Sequence, residues 1–250
     1  INEYKANHFY PKGLKLFTVY VLIPLILIYL LILYAYGVKI LLQWELPKGW
    51  VSQLILWYSI LGTLAFLLVY PLRESTNNNW VKRFTRLFYF AIVPLLVLLF
   101  IAIYERINTY GVTIERYIVL VLAIWLAVIT LYFLLSKKDN IIYYPLSLTV
   151  VFLFCLMGPW SIDQLPANSQ IRKLKTIIEN PNKINVGSSI VNYLANNHSF
   201  QFFRNLHNSE VDKILPTHAN DNSRYYYSKE ILKVLKLEDT TINDFKSTYL

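Results

Sequence analysis

Residues Tyr117–Leu135 read YIVLVLAIWLAVITLYFLL, without a single charged side chain. A helix rises 1.5 Å per residue, so about 20 such residues cover the ~30 Å hydrocarbon core of a bilayer. A helix that is apolar on every face has no side to offer to water. This stretch therefore decides for a transmembrane helix, and four others follow the same logic, at about 14–42, 51–70, 87–104 and 141–160. The first is longer than one crossing needs, so it tilts, kinks or emerges from the bilayer. Pro24 supplies a kink there, and Lys39 lies near enough to its end to snorkel outward. Pro94 sits inside the third span. Trp44, Trp50, Trp80 and Trp160 fall at span ends, where amphipathic rings settle at the headgroup level. Trp57 and Trp125 lie deeper, against helices or lipid tails.

The bulk composition agrees. Of 250 residues 56% are apolar and only 16% charged, and the mean hydropathy is +0.40. A typical soluble domain carries about 25% charged residues. Disorder, a coiled coil and an ordinary water-soluble enzyme are excluded. The chain divides at about residue 160. Residues 1–160 hold nearly all the apolar runs, with 13 Lys/Arg against 6 Asp/Glu. Residues 161–250 are polar, with 11 against 9. The excess of +9 has no Lys/Arg stripe interleaved with aromatics, so it reads as loop charge that sets membrane orientation and not as a nucleic-acid surface. The single cysteine, Cys155, lies in an apolar run and reads as a buried small hydrophobe. The chain starts at Ile1 and shows no signal-peptide cleavage pattern, so it is expected to be part of something longer.

Cations near the span ends set the orientation. Lys5, Lys12, Lys15, Arg73, Lys82, Arg83, Arg86, Lys137 and Lys138 fall on one side, nine in all. Lys39, Lys48, Arg106 and Arg116 fall on the other, four in all. Arg172, Lys173 and Lys175 follow the fifth span but are assigned to the folded tail. The positive-inside rule then puts the N-terminus in the cytoplasm and residues 161–250 outside it.

Two spans echo one another. Lys12-Gly13-Leu14-Lys15-Leu16-Phe17 leads to Pro24, and Arg83-Phe84-Thr85-Arg86-Leu87-Phe88 leads to Pro94. Paired proline-interrupted helices are one pointer to a transporter site. The span centres hold no Asp, Glu, Lys, Arg or His, however, which weakens that reading. Ser59/Thr63 and Ala123/Ala127 are small pairs that let helices approach closely.

The third loop, Tyr104–Tyr117, carries paired charges: Glu105 and Arg106, then Glu115 and Arg116. Gly111 suits a turn, Thr113 a helix cap, and Glu115 the first turn of the next helix. A tight hairpin would bring the two pairs together as a polar clasp between helix ends. The alternative is a small site with two carboxylates for acid/base chemistry.

Tyr104–Tyr117, the run Ile118–Leu126, and Tyr143–Trp160 ending in Gly158-Pro159-Trp160-Ser161 resemble a family of bacterial multi-pass membrane proteins. It is the domain of unknown function 4153, of the Bacteroidetes type. The opening Tyr10-Pro11-Lys12-Gly13-Leu14-Lys15-Leu16-Phe17 is similar to it as well. The resemblance covers roughly 8–165. It implies the multi-helix architecture and further helices upstream, and it carries no catalytic residue across.

The tail reads as short amphipathic helices. Asn168 or Ser169 caps one with Ile171, Leu174, Ile177 and Ile178 on one face, ended by Pro181. Ser188 or Ser189 opens a second, with Ile190, Val191, Tyr193 and Leu194 inward. Phe200, Phe202, Phe203 and Leu206 form a third element, and Glu210–Leu215 a fourth that stops at Pro216. Thr217–Arg224 reads as a loop, and Ser228 as the cap of a last helix with Ile231, Leu232, Val234, Leu235 and Leu237. His198, His207 and His218 match no metal-ligand spacing.

The expected fold is all-α: a polytopic membrane helix bundle with about five transmembrane helices, plus a small helical soluble C-terminal domain. No catalytic, cofactor-binding or metal-ligating residue is assigned. The expected partners are the lipid bilayer and an envelope protein met through 161–250, with no nucleic acid, and nothing in the sequence sets an oligomeric state. The leading reading is a non-enzymatic scaffold or assembly component of the cell envelope in the bacterial inner membrane. The rivals are a transporter or channel subunit and a membrane-embedded enzyme acting on envelope lipid or glycan.

Overall fold

The computed structural model describes residues 12–43, 50–69, 79–135, 142–179, 184–216 and 221–237. Lys5, Trp44, Lys48, Tyr70, Arg73, Lys137, Lys138, Ile141, Pro181 and His218, used in the sequence reading, lie outside these residues. Among the described residues every regular element is a helix. In chain order they are α1 (Lys12–Phe17), α2 (Ile23–Gln43), α3 (Trp50–Val69), α4 (Asn79–Tyr110), α5 (Ile114–Leu135), α6 (Tyr143–Leu156), α7 (Gln164–Glu179), α8 (Ile184–Asn197), α9 (Ser209–Ile214) and α10 (Asp221–Val234). A 3₁₀ helix, Phe200–Leu206, lies between α8 and α9.

Three stretches are long and apolar enough to cross a membrane: Thr18–Ile40, Arg86–Tyr110 and Ile114–Leu135. Leu54–Ala65 and Tyr143–Leu156 are shorter apolar stretches. The molecule is thus a helical membrane protein. The α4 helix, which holds the third span, runs further than the apolar pattern suggests, to Tyr110, which leaves Gly111–Thr113 as the whole turn before α5. The α6 helix, in the fifth span, stops sooner, at Leu156. Gly158 takes a positive φ of 84°, a helix-ending conformation that glycine enters without strain, and Pro159 cannot continue the ladder.

The chain forms two compact units. One comprises Ile1–Tyr104 with Val119–Val151, the other Glu105–Ile118 with Phe152–Leu250.

In the first unit, a π-turn, Thr18–Leu22, joins α1 to α2 just before Pro24. The Ile23 N–H reaches back five residues to the Thr18 carbonyl. Thr18 itself donates through Oγ1 to the Leu14 carbonyl at 2.8 Å. The echo explains the extra residue. Phe17 to Pro24 is seven steps, whereas Phe88 to Pro94 is six. The wide turn absorbs the difference. The echo is not kept in packing, since Phe17 is exposed and Phe88 buried.

Aromatic rings dominate this core. Tyr58 meets Tyr29 edge-on at 5.7 Å and Phe88 at 5.8 Å. Tyr89 stacks on Phe133 at 5.1 Å, and Phe133 on Tyr144 at 5.1 Å. Hydroxyls in an apolar surround need partners. Tyr29 donates to the Leu54 carbonyl and Tyr34 to the Ala91 carbonyl, both at 2.8 Å, and Tyr89 pairs with Tyr144. Trp125 is half-buried and donates to Ser147 Oγ at 3.0 Å, while Trp57 is exposed. Further along α5, Tyr132 meets Tyr143 at the start of α6. Later residues of α5 thus face earlier residues of α6, and the two helices run antiparallel.

In the second unit the tail helices enclose a core of Ile171, Leu174, Ile177, Val191, Leu194, Phe203 and Ile231 with their neighbours. The inward faces follow the apolar periodicity, except that Ile178 is exposed. The helix starts differ. The α7 helix begins at Gln164, whose N–H is held by Ser161 Oγ at 3.3 Å, so Asn168 and Ser169 are interior. The α8 helix begins at Ile184, and α10 at Asp221, which takes Asp221–Arg224 out of the expected loop and puts Ser228 mid-helix.

Close packing at Gly62 yields a prediction. A Cβ there would overlap the buried Phe88 ring, whereas one at Gly13 would meet nothing within 4 Å. Gly62→Ala should destabilise by about 1–3 kcal/mol through overpacking, and Gly13→Ala should not. Thermal unfolding of the two variants in one detergent checks this.

Candidate functional site

A helix leaves its last four carbonyls without intrahelical donors. At the end of α4 these belong to Ile107, Asn108, Thr109 and Tyr110. Gly111 solves the first. With φ at 77°, it turns its N–H back to the Ile107 carbonyl at 2.8 Å. The others are capped from α7, some 60 residues on. The Lys173 ammonium donates to the Asn108 carbonyl at 3.1 Å and to the Thr109 carbonyl. Gln170 Nε2 donates to the Tyr110 carbonyl at 3.2 Å and to the Val112 carbonyl at 2.9 Å. A cation at a helix C-terminus also meets the negative end of the macrodipole.

The turn's N–H groups are held as well. Ser169 Oγ accepts from Val112 at 3.2 Å, and the Tyr193 hydroxyl from Ile114 at 2.7 Å. Thr113 caps α5, as its position suggests, with Oγ1 accepting from the Arg116 N–H at 3.5 Å. Ser169, Gln170, Lys173 and Tyr193 together form a socket for the backbone of the turn. Gln170 is 1% exposed, so its amide is committed to this role.

Glu105 and Arg106 occupy the last turns of α4, and Glu115 and Arg116 the first turn of α5. Arg116 folds back over the turn. Its Nη1 donates to the Gly111 carbonyl at 3.0 Å, and its guanidinium lies 5.3 Å from the centre of the Tyr110 ring. Glu105 and Glu115 are exposed, and Arg106 is half-buried. The sequence marks the turn but not its socket. Ser169 and Lys173 share a helix face by their spacing, yet nothing local ties that face to residues 108–114.

Behind Tyr193 stands His198, 5% exposed, with Nε2 3.4 Å from the Tyr193 hydroxyl. That hydroxyl also accepts from the Ile114 N–H, so it bridges the turn and the imidazole. Burial pushes His198 below its usual value of 6.5, against the opposing pull of the Asp163 and Glu115 carboxylates. His207 is exposed and takes a left-handed φ of 55° at the end of the 3₁₀ helix. Among the described residues no three His, Cys, Asp or Glu side chains converge as a metal site would require.

These features define a multi-helix membrane protein whose α4–α5 turn is seated in a helical appendage. The chain belongs to the family described as domain of unknown function (DUF4153), whose sequence profile matches residues 3–195. The match takes in the turn and all four socket residues. The chain is 30% identical, over 209 residues, to "Uncharacterized protein PM1469" of Pasteurella multocida (strain Pm70). That similarity covers 80% of this chain and 33% of the relative, so the chain spans about a third of the relative's length. No solved structure matches the chain.

The socket can be tested by substitution. Gly111→Ala would force a left-handed Cβ to within 2.9 Å of Gln170 Nε2 and should cost about 1–2 kcal/mol. Tyr193→Phe should speed amide exchange at Ile114, and Ser169→Ala at Val112, each while leaving the α7 and α8 amides protected. Hydrogen exchange read on fragments spanning 108–117 checks both. His198 binds its proton more readily unfolded than folded, so its contribution is complete above pH 6.5 and is lost as pH falls toward its folded value. Unfolding midpoints measured downward from pH 6.5 should fall more steeply for the parent chain than for His198→Gln.

Proposed function

We propose that this chain belongs to a non-enzymatic scaffold of the bacterial inner membrane, whose helical tail docks an envelope protein outside the cytoplasm. The observation that carries this reading is the use made of the polar groups at the turn. Ser169, Gln170, Lys173 and Tyr193 are spent on backbone caps, which mount the tail on the α4–α5 hairpin. Arg116 is likewise turned onto the Gly111 carbonyl. Glu105, Arg106, Glu115 and Arg116 in this reading are a structural clasp and not a reaction centre.

Five crossings fit the same contacts. Direct hydrogen bonds join the turn to the tail, which supports one side of the bilayer for both. The chain leaves the turn on α5, which is long enough to cross, and must come back through α6. Fourteen helical residues make about 21 Å, so α6 relies on its flanks and on local thinning to span the core. With the nine-to-four cation bias, the N-terminus is cytoplasmic and the tail extracytoplasmic.

Alkaline phosphatase fused after Leu250 should be active, and a reporter that works only in the cytoplasm should be silent there. The reverse pattern overturns the orientation. Native mass spectrometry of the full-length protein from its own membranes should show a stoichiometric protein partner. A lone protein holding a reproducible solute would refute the scaffold and favour transport or catalysis.

A further inference from the structure

We propose that the outer face of α10, formed by Tyr225, Tyr226, Lys229 and Lys233, is a docking surface for the headgroup layer of an anionic bilayer. Beyond Trp160, the large apolar side chains exposed among the described residues are Ile178, Tyr225 and Tyr226. The tyrosine pair is at least 60% exposed, whereas the next residue, Tyr227, turns inward against Phe200 at 5.8 Å. Ile231 and Leu235 continue that buried side, so the core fixes the phase of the helix and holds Tyr225 and Tyr226 outward.

The lysines share the tyrosine face. The Lys229 ammonium lies 4.8 Å from the centre of the Tyr225 ring, and Lys233 pairs with Glu230 at 3.0 Å. Tyrosine rings with lysines beside them are the side chains of a membrane interface, because each has an apolar body and a polar tip. Lysine is depleted from the dry centres of protein interfaces, so the same face suits a wet, charged layer better than a protein pocket.

The position within the unit points the same way. The first N–H of the apolar helix α5, on Ile114, bonds to Tyr193, and Tyr193 contacts His198. Arg224, the residue before Tyr225, donates through Nη1 to the His198 carbonyl at 3.3 Å and to the Ala195 carbonyl at 2.7 Å. Three side chains therefore tie the first turn of α10 to the end of the unit where α5 enters the membrane. The same unit exposes Phe152, Leu153, Phe154, Leu156, Met157 and Trp160, so it already includes a lipid-facing segment.

The full chain in Cys155→Ala background, with Tyr226→Cys carrying a bimane label, is placed in nanodiscs containing lipids with a nitroxide headgroup. Lys213→Cys, exposed on α9, serves as the comparison. The expected result is at least about twofold stronger quenching at 226 than at 213, greater in discs with phosphatidylglycerol than in purely zwitterionic ones. Adding Lys229→Glu and Lys233→Glu should remove the dependence on anionic lipid. Equal quenching at the two positions overturns the proposal. So does a label at 226 shielded from both the nitroxide and aqueous iodide, because a protein or second copy then covers the face.

Discussion

The carbonyls at the end of α4 are the constraint on which the second unit depends. A helix ending near a bilayer must find donors for its last turn, and Gly111 satisfies one of the four. Gln170 and Lys173 supply the rest from a helix far along the chain. The interaction is made with backbone atoms, so it recognises the shape of a turn and not its side chains. It also removes the Gln170 amide from water for that purpose, while the Lys173 ammonium stays at the exposed edge of the turn.

The first unit answers the same problem inside an apolar environment. A hydroxyl there gains by finding an acceptor, and the acceptors within reach are helix carbonyls and other hydroxyls, although among the described residues the buried Tyr58 and Thr130 hydroxyls have none. Tyr29 and Tyr34 take the carbonyls of neighbouring helices, and Tyr89 and Tyr144 take each other. Each ring therefore contributes contact area and one directional bond, which fixes the register of helices whose surfaces are otherwise uniformly apolar. Gly62 permits this by leaving room for Phe88.

Backbone irregularity has local causes in both units. The π-turn at Thr18–Leu22 falls where the Phe17–Pro24 spacing is one residue longer than the Phe88–Pro94 spacing. The left-handed glycines at 111 and 158 end α4 and α6. None of these positions needs a ligand to account for it.

Much of the helix content of the described residues is legible as pattern. Charge-free runs of about twenty residues can be satisfied only as helices in lipid, because no water is there to pair with the backbone. The inward faces of Ile171, Leu174 and Ile177, and of Ile190, Val191 and Leu194, followed from 3.6-residue periodicity. Helix starts were harder to read, since Ser169, Ser188 and Ser228 have the chemistry of caps but sit within helices. Gly111, Thr113 and the charge pairs marked a turn, because turn and cap preferences are local. Gln170, Lys173 and Tyr193 could not be read as its partners. Their hydrogen bonds join atoms far apart in the chain, and only the packing of α7 and α8 brings those atoms within about 3 Å of the turn.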